Sequence, residues 1–167
     1  MHYFFVIGLS YKTASIDFRE QFSLNDSRQH ALFLEAKEKK IKDLIIVNTC
    51  NRTELYAWSK DLETLVDLLC KHSGGEKALF DQIGYKFKGE DCLNHLFRVG
   101  SGLESQILGD FEIIGQIKQG FYRSKKMGLA QGSLERLTNA VIQSSKRIKT
   151  ETEISSGATS VAFASVQ

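Results

Sequence analysis

An α+β fold is predicted, a small mixed β-sheet with packed helices followed by a helical lobe. Short strand-like runs alternate with segments of helical period through residue 90, whereas only helical stripes follow. The length of 167 residues sits near that of one common domain. Such a chain buries roughly 70% of its unfolded surface, enough for a core without staples.

The run Tyr3-Phe4-Phe5-Val6-Ile7 has no basic region before it and no small-residue cleavage pattern behind it, so residues 3–9 read as a strand rather than a signal peptide. Gly8 to Thr13 is the polar loop that ends it. Asn25-Asp26-Ser27 can cap a helix over residues 26–39, which closes in Lys37, Lys39 and Lys40, cations suited to a helix C-terminus. A second strand, Asp43 to Val47, and a third, Glu54 to Trp58, flank a polar turn. Leu62, Leu65, Val66 and Leu69 mark one face of a helix from Asp61 to His72, ended by Gly74-Gly75, and Gly84 to Gly89 reads as a short strand. Leu93, Leu96, Phe97 and Gly100 form the next helical stripe, and Ile113, Ile114, Ile117 and Phe121 another. A long helix over residues 133–149 places Leu134, Leu137, Val141, Ser144 and Ile148 in steps of three and four. Val161-Ala162-Phe163-Ala164 looks like an unfinished helix, which leads us to expect a longer protein.

The hydrophobic fraction of 42% and charged fraction of 25% are ordinary for a globular domain. No apolar run approaches the ~20 residues that span a bilayer, so no transmembrane helix and a cytosolic location are expected. Cys50, Cys70 and Cys92 are odd in number and widely spaced, fitting neither a disulfide framework nor paired zinc ligands. The glycosylation sequon Asn51-Arg52-Thr53 needs a secretory route that nothing else supports. Net charge is +2, yet residues 116–150 carry eight Lys or Arg against Glu135 alone. That asymmetry suits either a polyanion such as nucleic acid or a solvated helical surface.

The most informative stretch is Asn48-Thr49-Cys50-Asn51-Arg52-Thr53-Glu54, where a strand delivers Cys50 to a polar turn with a cation two residues away. A cation beside a thiol favours the nucleophilic thiolate; a buried structural cysteine is the plain alternative. Arg52 can lower the thiol pKa or clamp a carboxylate through its planar fork. His95 lies about 150° from the stripe of Leu93, Leu96, Phe97 and Gly100, which directs it to a cleft or simply to the surface. The stretch from Gly100 to Asp110 imitates a dinucleotide fingerprint, but Ser105 replaces its third glycine and a helix precedes it. Its glycines suit either a close backbone approach to a bound group or a tight helix–helix turn. Cys70 and Cys92 read as small hydrophobes.

Several motifs in order resemble the glutamyl-tRNA reductases, which open the five-carbon route to tetrapyrroles. They are Gly8-Leu9-Ser10-Tyr11-Lys12-Thr13-Ala14, Thr49 to Tyr56, His95 to Val99, Ser101 to Ser105, Ile114-Gly115-Gln116 and Thr150-Glu151-Thr152. The resemblance implies that Cys50 attacks the ester of glutamyl-tRNA to form a glutamyl thioester, which NADPH reduces to glutamate-1-semialdehyde. It implies substrate contacts from Thr49, Asn51, Arg52, Ser105, Asp110, Phe111, Glu112 and Gln116, with His95 assisting proton transfer to the leaving group. The chain departs from the family at Tyr11 (usually His), Ser15 (usually Pro), Asp110 (usually Glu) and Phe111 (usually Pro or Gln).

On this reading residues 1–155 form the catalytic, thioester-forming domain, and residues 156–167 begin an NADPH-binding domain that the chain does not contain. The resemblance implies a homodimer of the full-length enzyme through a further C-terminal domain, with this fragment monomeric. Two other readings stay open: a noncatalytic tRNA-binding or regulatory module using the basic helices, and a thiol redox sensor.

Overall fold

A computed structural model describes residues 1–154. In chain order the elements are β1 (Tyr3–Ser10), α1 (Ile16–Gln21), α2 (Asp26–Glu38), β2 (Leu44–Asn48), β3 (Arg52–Ser59), α3 (Glu63–Ser73), α4 (Lys77–Ile83), β4 (Tyr85–Lys88), α5 (Glu90–Gly100), α6 (Glu112–Lys126) and α7 (Gly132–Glu151). The α+β expectation holds, with a four-stranded sheet in the order β2-β3-β1-β4. Every pairing is antiparallel rather than mixed. Residues 156–167, including the expected unfinished helix, lie outside the described residues.

Alternation along the strands feeds two cores. Phe5, Ile7 and Leu9 of β1 join Leu44, Ile46, Leu55 and Ala57 beneath the helices of the first half, with Leu32 and Phe33 of α2 and Leu65, Val66 and Leu69 of α3. Phe4 and Val6 point the other way and join Ile45, Val47 and Tyr56 under Leu96 of α5, Ile117 of α6 and Val141 of α7. Because helices cover both faces, the strands are apolar on both sides, hence the near-continuous runs Phe4 to Ile7 and Leu44 to Val47. The expected helical lobe packs directly on the sheet: α5 and α6 cover its second face, and α7 packs on α5 and α6.

Sequence periodicity missed α1 and α4. Helix α1 buries no side chain and leaves Ile16 and Phe18 exposed, while α4 buries only Phe80, so neither carries an apolar stripe. Helix α2 starts as expected, with the Asn25 side chain accepting from the Arg28 N–H at 2.9 Å. It ends in a paired-hydrogen-bond cap, Lys40 N–H to the Lys37 carbonyl and Ile41 N–H to the Ala36 carbonyl. Such a cap needs a left-handed residue, and Lys40 takes φ 62° where glycine is the usual choice, at a cost of about 1 kcal/mol.

Helix α6 runs close over β2 because Gly120 has no side chain. A Cβ there would lie 2.6 Å from the Ile46 carbonyl oxygen, which belongs to the sheet and cannot turn aside. Gly115 on the same helix has nothing within 4 Å of the equivalent position. The pair separates helix propensity from packing. Gly115→Ala is expected to stabilise by about 0.5–1 kcal/mol, and Gly120→Ala to destabilise by about 1–3 kcal/mol despite the same propensity gain. Urea unfolding of the two variants checks the opposite signs.

Candidate active site

The turn between β2 and β3 is held from inside. The Thr49 hydroxyl oxygen accepts from the N–H groups of Asn51 (3.1 Å) and Arg52 (3.2 Å), and the Thr49 N–H donates to the Arg52 carbonyl at 2.8 Å. Its neighbours brace it from outside. Arg19 of α1 donates to the Cys50 carbonyl at 3.2 Å, and the Tyr11 N–H to the Asn51 carbonyl at 2.8 Å. Cys50 is exposed on this turn. Cys92 is buried and Cys70 partly so, and burial pushes both of their thiols above the usual range.

Arg52 points inward from the first residue of β3 and is 3% exposed. Its Nη1 donates to Glu54 Oε1 at 2.7 Å and its Nη2 to the Glu104 carbonyl at 2.5 Å. Of the two roles the sequence leaves open for Arg52, either would fall to its remaining N–H groups, since two N–H directions are committed to protein partners. Burial opposes the guanidinium charge, but Glu54 more than restores it and the Arg52 pKa is raised.

Glu54, to which the sequence reading gave no role, is the buried charge at the centre of this cluster. It is fully buried on the same strand face as Arg52 and Tyr56, and its Oε2 accepts from the Tyr56 hydroxyl at 2.6 Å and meets His95 Nε2 at 2.7 Å. Burial alone would raise its pKa; the His95 hydrogen bond, the Arg52 and His95 charges and the Tyr56 hydroxyl instead lower it to about 2. The available signal was a carboxylate on a strand, spaced by two from a cation and from a tyrosine and so on the same face as both. Tyr85 adds a buried hydroxyl beside this cluster, without a hydrogen-bond partner among the described residues, its pKa raised by burial and by the Glu54 charge.

His95 belongs to the cluster and not to open solvent. Its ring packs among Tyr56, Tyr85 and Phe87, with centroids 6.4, 5.1 and 5.1 Å away. Of the two expected placements, cleft or surface, the structure gives the cleft, although the buried stripe of α5 is Cys92, Leu96, Val99 and Gly100, while Leu93 and Phe97 are only partly buried. Recentring the stripe puts His95 on its flank, facing the sheet.

The glycine-punctuated segment is a closed loop between α5 and α6. Gly102 (φ 76°) and Gly109 (φ 81°) are left-handed, and the Gly109 N–H donates to the Gly102 carbonyl at 3.1 Å. The Glu104 side chain anchors it to Lys12 at 2.6 Å and Arg98 at 2.8 Å, and the Tyr11 hydroxyl donates to the Ser105 carbonyl at 3.1 Å. Burial raises the Glu104 pKa, but those two cations win and lower it. The structure thus joins Arg52, His95 and the loop of Ser105 through Glu54, Glu104 and Tyr11, beside the Cys50 turn.

The remaining predicted residues sit around this centre. Asp110, just before α6, accepts from the Glu112 N–H at 3.0 Å, Phe111 lies under the Lys149 ammonium at 5.6 Å, and Glu112 is exposed. Gln116 faces a cavity of about 390 Å³ with Asn48, Gln29 and Arg123, whereas His95 opens on another of about 290 Å³ with Asn94, Arg98 and Glu104. Gln116 and His95 thus line different cavities. Among the described residues no group of three or more His, Cys, Asp or Glu could hold a metal ion, and no helix is long and apolar enough to cross a membrane.

The family described as the N-terminal domain of glutamyl-tRNA(Glu) reductase matches residues 7–152. The glutamyl-tRNA reductase of Christiangramia forsetii is 53% identical over 165 residues, 99% of this chain and 40% of that protein. Glutamyl-tRNA reductase 2 of Flavobacterium johnsoniae is 53% identical over 98% of this chain and 38% of its own length. The solved glutamyl-tRNA reductase from Methanopyrus kandleri superposes with a TM-score of 0.82 at 28% identity, covering 99% of this chain and 39% of that one. The chain therefore spans about two-fifths of the length of these relatives.

Glu54→Gln keeps the shape and removes the charge. Leaving Arg52 buried without its counter-ion is expected to cost about 3–5 kcal/mol, measured by denaturant unfolding. Because the folded-state pKa of Glu54 is depressed, its contribution is complete above the ordinary carboxylate range and is lost as pH falls toward about 2. The wild-type chain should therefore lose stability on acidification more steeply than the Glu54→Gln variant over that window.

Proposed function

The chain belongs to the glutamyl-tRNA reductase family, and on that premise we propose that it forms the thioester of the reductase reaction in tetrapyrrole synthesis. The substrate is glutamyl-tRNA. The Cys50 thiol gives up its proton as its sulfur attacks the ester carbonyl carbon, the bond from that carbon to the ribose oxygen breaks, and the ribose oxygen leaves with a proton, so that one proton is released and one taken up. Glutamate remains on sulfur as an acyl group. An aminoacyl ester is already activated, so the thiol needs placement and a partner for the leaving oxygen more than a strong base.

One observation carries this reading. Of three cysteines, Cys50 alone is exposed, and it stands on a turn braced by Thr49, Arg19 and Tyr11. A braced nucleophile loses little freedom on reaching its target. His95 supplies the proton to the departing ribose oxygen, its ring oriented by Glu54. Arg52 receives the substrate carboxylate on the N–H groups not already given to Glu54 and Glu104. Asn51, Ser105, Phe111, Glu112 and Gln116 border the substrate, and Thr49 and Asp110 act by shaping the turn and the start of α6.

The reductive half needs a hydride donor, NADPH in this reading. The described residues do not fit one: the sheet is antiparallel throughout, and the glycine-rich segment joins two helices instead of following a strand. No reduction step is assigned to them. We assign residues 1–155 to thioester formation and 156–167 to the start of an NADPH-binding domain, with dimerisation belonging to further sequence of the whole enzyme and the 167-residue chain a monomer.

Incubation with tRNA charged with labelled glutamate should leave label on the protein after acid quench, with slow loss by hydrolysis when no NADPH is added. Cys50→Ser should abolish the adduct and Cys70→Ser should retain it, read by mass spectrometry of the cysteine peptides. Equal labelling of wild type and Cys50→Ser would overturn the assignment. RNA binding without any label would favour a noncatalytic module.

A further inference from the structure

At the end of the sheet opposite Cys50 lies a cavity of about 440 Å³ that the thioester chemistry does not use. Its walls are the α2–β2 connection, the end of β3 and the segment leading into α3. Lys39, Lys40, Lys42 and Lys60 line it with His2 and Trp58. The acid in its lining is Asp61, whose Oδ1 already accepts from the N–H and hydroxyl of Thr64. Nearby Asp43 accepts from the Gln131 N–H, and Glu35 is shared among Lys39, Lys71 and His72. Lys40, Lys42 and Lys60 form no ion pair within 4 Å among the described residues. The cavity is therefore strongly cationic and carries an aromatic wall.

A second, independent observation falls on the same place. Lys40 is the only non-glycine residue with positive φ among those described, in a cap where glycine would be favoured. Strain held at one position points to function when the neighbouring groups converge on a ligand. Here the strained residue is itself one of the converging cations.

We propose that this cavity binds the phosphodiester backbone of the RNA whose 3′ end is presented to Cys50, which deepens the function proposed above and rests on it. Strand β3 connects the two places: from Arg52 to Ser59 it rises about 23 Å at ~3.3 Å per residue. An RNA with its ester at the turn would pass its backbone over such a distance. Lysines on flexible stems suit a string of phosphates better than one fixed carboxylate, and Trp58 offers a base or ribose a flat surface. The partner is a single RNA gripped at two separated points, by its acyl end and by its backbone.

The test uses the 167-residue chain and uncharged tRNA, with binding followed by fluorescence anisotropy across a salt series. The triple variant Lys40→Gln, Lys42→Gln, Lys60→Gln should weaken binding by roughly tenfold to a hundredfold and make the slope of log K against log salt shallower by about 2. Lys40→Gly alone should weaken binding by a few fold while raising the thermal midpoint by a few degrees, a pairing that a purely structural lysine would not give. Cys50→Ser should bind as wild type does. Unchanged affinity and slope in the triple variant, with the glutamyl adduct still forming on Cys50, would overturn this site and leave the thioester reading intact. Absence of the adduct, with RNA binding still lost in the triple variant, would uphold the site and overturn the chemistry. Selective loss of binding to phosphatidylserine vesicles, with tRNA binding unaffected, would also overturn the proposal.

Discussion

The Glu54 carboxylate is the constraint around which the site is assembled. A buried charge is tolerated only when its oxygens are satisfied, and Glu54 achieves this by drawing in Arg52, Tyr56 and His95. Those partners come from two layers, the sheet and the helix laid over it. Docking α5 on the second face is therefore tied to completing the network, and the network fixes the rotation of α5 that aims His95. Arg52 carries the constraint onward through the Glu104 carbonyl, so the loop between α5 and α6 takes its place from the same charge.

Packing and polar order divide the labour across the sheet. The face under α2, α3 and α4 is a dry core of Leu, Ile and Phe. The face under α5, α6 and α7 is apolar toward Val6, Ile45 and Tyr56, and becomes polar at the end where Arg52 and Glu54 stand. The turn bearing Cys50 emerges at that polar end, so the exposed thiol rests on a part of the fold held by directional bonds rather than by shape filling alone.

What could be read from the sequence follows from how local each cause is. The strands of β1, β2 and β3, the helices α2, α3, α6 and α7, and the turn carrying Cys50 were legible because their patterns repeat within a few residues. Helices α1 and α4 were not, since they bury one side chain at most. The stripe of α5 was read off-centre because Leu93 and Phe97 looked like core although Cys92 and Val99 take that place, so the sequence left His95 between cleft and surface. The burial and the partners of Glu54 were not legible for a different reason. A charge on a strand ordinarily faces water, and the residue that shows otherwise, His95, stands 41 positions later in the chain.

Neither rim of the sheet offers a long free edge. On the outer side of β2, the Leu44 N–H donates to the Leu129 carbonyl, and the Leu44 carbonyl accepts from the Ser124 hydroxyl. The other rim, β4, is only four residues long and carries Lys86 and Lys88, the first bridged to Glu63 and Asp81, the second laid over Tyr3. Short, lysine-bearing rims resist edge-to-edge annealing. A sheet ended this way offers little template for β-rich aggregation, and its broad remaining surfaces are those of helices and loops.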